Sequence, residues 1–300
     1  VSFSNWPEPI PISLQIFLQH NILSDLALCK QDMTQPLPRD FRFPPHIHHL
    51  DFSNCSFTYQ SLSSLFSIIS HHETPLSLYL SNIVLQESHW RSFFDSLTTF
   101  SAMKCLYELD WSGNIIDYQC FQHFSKYFVE ETSLRYLLID RIFGSSQIED
   151  LKSLITTFPK NKIWGLSVGG DCQKNFSGNF KLFLESIEEL MPLYFLNING
   201  QQMSEEDADI LISFLKRNPQ VVDISCDNSQ ISCEHNFFIF YEDLFKTNIK
   251  SIGRPTNDVK RIFKPNMSNL AKPERWSDFR SKMIKHHSSA TRQQRSTFLC

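Results

Sequence analysis

Apolar residues recur along this chain at a nearly constant long step, and that period restricts the fold more than any local motif does. The cleanest unit is Ile47-x-x-Leu50-x-Phe52-x-x-Cys55-x-Phe57. Leu106, Leu109, Trp111, Asn114 and Ile116 copy its spacing, as do Val221, Ile224, Cys226, Ser229 and Ile231. Weaker copies are centred on Leu78, Leu137, Leu166, Leu196 and Ile252, so the second apolar position advances by 28, 31, 28, 29, 30, 28 and 28 residues. An earlier unit around Leu26 lies 24 residues before Leu50, with Pro36, Pro38, Pro44 and Pro45 where a helix would otherwise fit.

Within each unit the central x-L-x-L-x alternates with period two, which predicts a half-buried strand whose leucines face a core and whose other residues face outward. Between the strands the period changes. Tyr59, Leu62, Leu65, Phe66 and Ile69 are spaced by three and four, as are Ile148, Leu151, Leu154, Ile155 and Phe158, which predicts helices. The best-delimited helix opens at Ser204, carries Glu205, Glu206 and Asp207 in its first turn, and stops before Pro219. The expected fold is therefore α/β, with strand and helix alternating about nine times. The chain contains 27 Phe but only 8 Gly, a composition that argues against a Gly-rich phosphate loop and for bulk packing of rings.

These units resemble the ribonuclease-inhibitor-like leucine-rich repeats over roughly Leu23 to Ile252. The resemblance implies a horseshoe-shaped solenoid with a concave parallel sheet and convex helices, and a role in protein recognition rather than catalysis. In that family a side chain at the Asn/Cys position satisfies buried backbone groups. Ile83 and Ile142 cannot do so, and irregular turns are expected there. Repeats followed by a basic tail are also similar to actin capping-protein regulators of the CARMIL type, which would imply cytoskeletal regulation, although the tail carries no capping-protein-interaction motif. Ile16-Phe17 with Asp25-Leu26 and Cys29-Lys30 bears a slighter resemblance to the F-box of ubiquitin-ligase adaptors. A truncated first repeat explains the same residues.

No constellation points to chemistry. His46, His48 and His49 with His71 and His72 suggest a zinc site at first sight, but strand alternation splits the first three between two faces, and the other two fall at a helix end. Cys226 and Cys233 have no base placed beside them by the repeat geometry, and Cys226 sits at a core position. The eight cysteines show no C-x-x-C spacing, which favours reduced thiols in the cytoplasm; three Asn-x-Ser triplets, starting at Asn54, Asn175 and Asn266, are the counter-reading. The chain begins at Val1 rather than Met, as a fragment or a processed product would. No cofactor and no small-molecule substrate are expected.

Charge divides the chain. From Arg254 to Cys300 there are eleven Lys/Arg against three acids, a net of +8; the remainder holds 17 against 29, a net of −12. We accordingly expect a repeat domain over 1–253 and a basic, partly disordered or helical tail over 254–300. The apolar run from Phe237 to Phe245 exceeds what one helix face can bury, so a covering segment, either the tail or a missing piece, is expected there. The outward strand positions carry Asp25, Asp51, Glu108, Asp110, Asp140, Asp223 and Asp227 and no Lys or Arg, interleaved with His49, Tyr79, Tyr136 and Phe195. This predicts an acidic, aromatic face for a partner with a basic segment, and Asp51, Tyr79, Glu108, Asp110, Tyr136, Asp140, Phe195, Asn197, Asp223 and Asp227 are the candidate contact residues. The tail, with Trp276 and Phe279 as anchors, is a candidate competitor for that face in cis. Membrane lipid and nucleic acid are the alternative partners for its basic charge.

Overall fold

The computed structural model describes residues 10–20, 22–97, 103–116, 123–124, 133–158, 163–188, 190, 192–231, 233–263 and 273–286. Two compact units emerge, Val1–Ile142 with Thr156–Lys162, and Phe143–Ile155 with Ile163–Leu299. Both are α/β, each built on a parallel sheet whose strands alternate with helices.

The first unit contains α1 (Ile10–His20), β1 (Asp25–Ala27), β2 (His49–Asp51), α2 (Tyr59–Ile69), β3 (Leu76–Tyr79), α3 (Glu87–Leu97), β4 (Leu106–Asp110) and β5 (Tyr136–Leu138). Its five strands pair in chain order, all parallel, and their register aligns Leu26, Leu50, Leu78, Leu109 and Leu137 in one column. Every member of that column is buried, as the period-two reading requires. One residue of the 31-residue step is taken up by a register shift, in which Leu76 pairs with Leu106 but Ser77 with Glu108, leaving Tyr107 as the extra residue. Helix α2 starts at a capping box in which Thr58 accepts from the Ser61 amide, and it buries Leu62, Leu65, Phe66 and Ile69. Phe66, Phe93 and Trp111 pack behind the strands with ring centroids 5.1 to 6.5 Å apart.

The second unit contains α4 (Ile148–Thr157), β6 (Gly165–Ser167), α5 (Phe180–Glu188), β7 (Phe195–Asn197), α6 (Glu205–Arg217), β8 (Asp223–Ser225), α7 (Glu234–Leu244), β9 (Ser251–Ile252), α8 (Thr256–Phe263) and α9 (Pro273–His286). Strands β6 to β9 are again parallel in chain order, and Leu166, Leu196, Ile224 and Ile252 form their buried column. Helix α6 begins at the Ser204 capping box and ends at Asn218, whose Nδ2 donates to the Phe214 carbonyl just before Pro219.

The turns after the strands share a left-handed residue directly before the Asn/Cys position: Lys30, Asn54, Asn82, Gly113 and Arg141 in the first unit, Gly200 and Asn228 in the second. Ile83 and Ile142 therefore sit in turns like the others, which corrects the expectation of irregularity there. At Ile83 the reason is that the polar side chain of the following unit serves this turn. Asn114 donates to the Leu80 carbonyl (2.7 Å) and accepts from the Ile83 amide (2.9 Å), so Ile83 needs no polar group of its own. Cys55 acts likewise on Leu28 O and Gln31 N, and Gln201 on Val168 O and Phe176 N. The turn that does depart is Asp171–Phe176, where the Asp171 carboxylate accepts from the amides of Gln173 and Lys174.

Part of the tail is helical. In α8, the buried Asp258 carboxylate accepts from Ser229 N and Oγ and pairs with Arg261 at 2.9 Å. Helix α9 covers the surplus rings of α7: Phe279 lies 5.3 Å from Phe237, 5.8 Å from Phe238 and 5.4 Å from Tyr241, and Arg275 sits over Phe238 while bonding Glu242. Trp276 and Phe279 are thus anchored on a helix, which corrects the expectation that they could occupy the strand face. Residues 264–272 and 287–300 lie outside the described residues. Cys55, Cys105, Cys172, Cys226 and Cys233 are free, whereas Cys29 is disulfide-bonded, a departure from uniformly reduced thiols; Cys120 and Cys300 are outside the described residues. Among the described residues no helix is long and apolar enough to cross a membrane.

Candidate interaction face

The outward residues of the strands line the face of each sheet opposite its helices. In the first unit much of the expected acidic surface is buried, Asp25 on β1 being the exposed exception. Asp51 and Asp110 are buried, and their carboxylates accept from the amides two residues on, Ser53 N at 2.8 Å and Ser112 N at 2.9 Å, closing the strand ends. Glu108 is buried and accepts from Ser77 Oγ at 3.0 Å. Burial pushes the Asp110 carboxyl up to about 7; Asp140 and Asp51 add to the rise, and the Ser112 bonds oppose it. Tyr79 is buried beneath His49, the rings 4.6 Å apart, and burial holds the His49 imidazole below its usual range despite Asp51, Asp25 and Glu108 nearby. Tyr136 and Asp140 remain half-buried, and Tyr107, the residue left over by the register shift, adds its ring to Tyr136 at 5.6 Å.

The second unit repeats the division. Asp227 is buried and accepts from the amides of Asn228, Asn257 and Asp258, fixing the first turn of α8. Asn197 bonds Ser167 Oγ and the Asn199 amide. Phe195 and Asp223 stay half-buried. Burial raises the Asp223 carboxyl, opposed by the neighbouring Ser251 hydroxyl, and its Oδ1 has no hydrogen-bond partner among the described residues. Two rings escaped the sequence reading: Trp164 and Tyr194 are 38% and 44% exposed, with centroids 6.2 Å apart. Alternation assigns both to the core side, but each directly precedes its strand, where the pleat no longer dictates direction.

Of the ten candidates, then, Tyr136, Asp140, Phe195, Asn197 and Asp223 present accessible surface, while Asp51, Tyr79, Glu108, Asp110 and Asp227 are bound into the sheet framework. The thiol of Cys226 is pushed up to about 12 by full burial, far from a nucleophile's range. Histidine contacts are structural: His72 Nε2 lies 2.9 Å from the Ile47 carbonyl and His48 Nδ1 3.3 Å from that of Pro75. Among the described residues no group of three His, Cys, Asp or Glu is placed to hold a metal. No family model matches the chain, and no curated protein matches it.

Proposed function

We propose that the chain is a non-catalytic protein-interaction scaffold, a ribonuclease-inhibitor-like leucine-rich-repeat solenoid of about nine repeats that binds a partner on its concave strand face. The observation that carries this reading is the pairing of accessible rings and acids, Tyr136 with Asp140 and Phe195 with Asp223, on outward positions that contain no Lys or Arg. Large rings supply contact area at low entropic cost, and the acids favour a basic partner segment and set its orientation. The repeat spacing and the shared turn geometry support the solenoid; the five free cysteines favour a cytoplasmic setting and the disulfide-bonded Cys29 weighs against it.

The test is affinity isolation of the full chain from cells beside two paired variants, Tyr136→Ala/Asp140→Asn and Phe195→Ala/Asp223→Asn, with Lys216→Ala on α6 as control. A co-purifying protein retained by wild type and control but depleted from both paired variants supports the reading. Equal recovery with all four proteins rejects it.

A further inference from the structure

A second surface lies on the helix side of the second unit, away from the strand residues just described. Between α6 and α7 a groove of about 570 Å³ opens to solvent. Its apolar lining comes from Ala208 and Ile212 of α6 and from Ile239 and Phe240 of α7. Ile239 is 40% exposed, although α7 is otherwise closed over by α9 on its far side. The rim is acidic: Glu205, Glu206 and Asp209 come from α6 and Asp243 from α7, and among the described residues no Lys or Arg lines the groove. Asp243 is held by Lys246 at 2.7 Å and Glu205 bonds Asn236, but among the described residues Glu206 and Asp209 take part in no ion pair. These two stand on the ridge of α6, where they also border a smaller hollow of about 230 Å³ toward α5.

An apolar floor under carboxylates that form no ion pair among the described residues, the cations Lys181 and Arg217 of the smaller hollow being paired with Glu185 and Glu188, has a complementary ligand: a segment that presents an aliphatic or aromatic side chain flanked by cations. Burying that side chain against Ala208, Ile212 and Ile239 supplies the hydrophobic contribution, at about 25 cal/mol per Å² of apolar area removed from water. Lys or Arg beside it would reach Glu206 and Asp209, steering the approach and selecting against acidic sequences. We propose that the α6–α7 groove is a docking site for a basic amphipathic peptide segment of a partner protein, distinct from the strand face.

The probe is a random peptide display library selected against the intact chain, followed by affinity measurement on synthesised winners. The expected winners combine Lys or Arg with a large apolar residue, weaken as salt is raised, lose about tenfold or more in affinity to Glu206→Lys/Asp209→Lys and to Ile239→Ser, and bind Phe195→Ala unchanged. The substituted side chains are exposed, so unaltered melting curves would separate lost binding from lost folding. Winners without a basic character, or winners indifferent to Glu206, Asp209 and Ile239, overturn the proposal. So does binding that arises only after residues 287–300 are removed, because the occupant would then be the chain's own end.

Discussion

Asn114 offers the sharpest test of how the turns are held. Its side chain is buried and makes two bonds to the preceding turn, donating to Leu80 O at 2.7 Å and accepting from Ile83 N at 2.9 Å. Asn114→Ala removes both and leaves a carbonyl and an amide buried without partners. At about 1–3 kcal/mol for each unsatisfied group, the expected loss is about 2–4 kcal/mol after partial relaxation. Asn114→Cys is the informative companion. Cys55 performs the same task with a thiol 2.8 Å from Leu28 O and 3.4 Å from Gln31 N, so a cysteine at 114 should recover about half the loss. Urea unfolding gives the two stabilities, and native-state hydrogen exchange reads the Ile83 amide directly. Faster exchange at Ile83 in the alanine variant, partly restored in the cysteine variant, is the expected result. Ile83 protection unchanged in Asn114→Ala, or a cysteine variant no better than alanine, would refute the idea that Asn114, like Cys55, secures the turn before it.

Three further outcomes follow from the same geometry. Asp110 titrates near 7 when folded against an ordinary 3.8, so the folded state holds the extra proton: the contribution is intact below about pH 4 and is lost as pH rises through 7, amounting to about 4 kcal/mol at most. Asp110→Asn should flatten that decline in urea titrations at pH 5 and pH 8, and an unchanged pH slope would contradict the assignment. Gly200 has φ +76°, and a Cβ there would lie 2.0 Å from the Gly170 carbonyl oxygen, whereas a Cβ at Gly178, φ +79°, meets nothing within 4 Å. Gly200→Ala should therefore cost more than about 2 kcal/mol and Gly178→Ala about 1 kcal/mol, read from thermal melts, and equal costs would be inconsistent with the close approach. Phe279→Ala removes the ring that meets Phe237, Phe238 and Tyr241, a loss of about 3 kcal/mol to α9 docking, and should speed tryptic cleavage after Arg280; cleavage at the wild-type rate would show that α9 is held by other contacts.

The strand columns were readable because side-chain direction in a strand depends only on parity, and Leu50, Leu109 and Ile224 repeat that parity at a steady step. The α6 boundaries were readable from Ser204, its acidic first turn and Pro219 for equally local reasons. What sequence could not show was the partner of each polar group. Ile83 looks deficient until Asn114, 31 residues on, is seen to serve it. Asp51 and Asp110 look like surface charges until their carboxylates are found on Ser53 and Ser112 amides, a local bond that competes with solvent wherever an Asp ends a strand. The position of Trp276 and Phe279 on α7 was half legible: the apolar excess of Phe237 to Phe245 demanded a cover, but matching a cover to it requires the third dimension.

The measurement that bears most directly on partner binding is site-specific photocrosslinking in cells, with a photoreactive residue placed at Tyr136 or Phe195 on the strand face and at Arg91 or Lys216 on the helices. Strand-face binding predicts adducts to one and the same protein from positions 136 and 195 and none to that protein from 91 or 216. Adducts to it only from the helix positions, or in equal yield from all four, would contradict a strand-face interaction site.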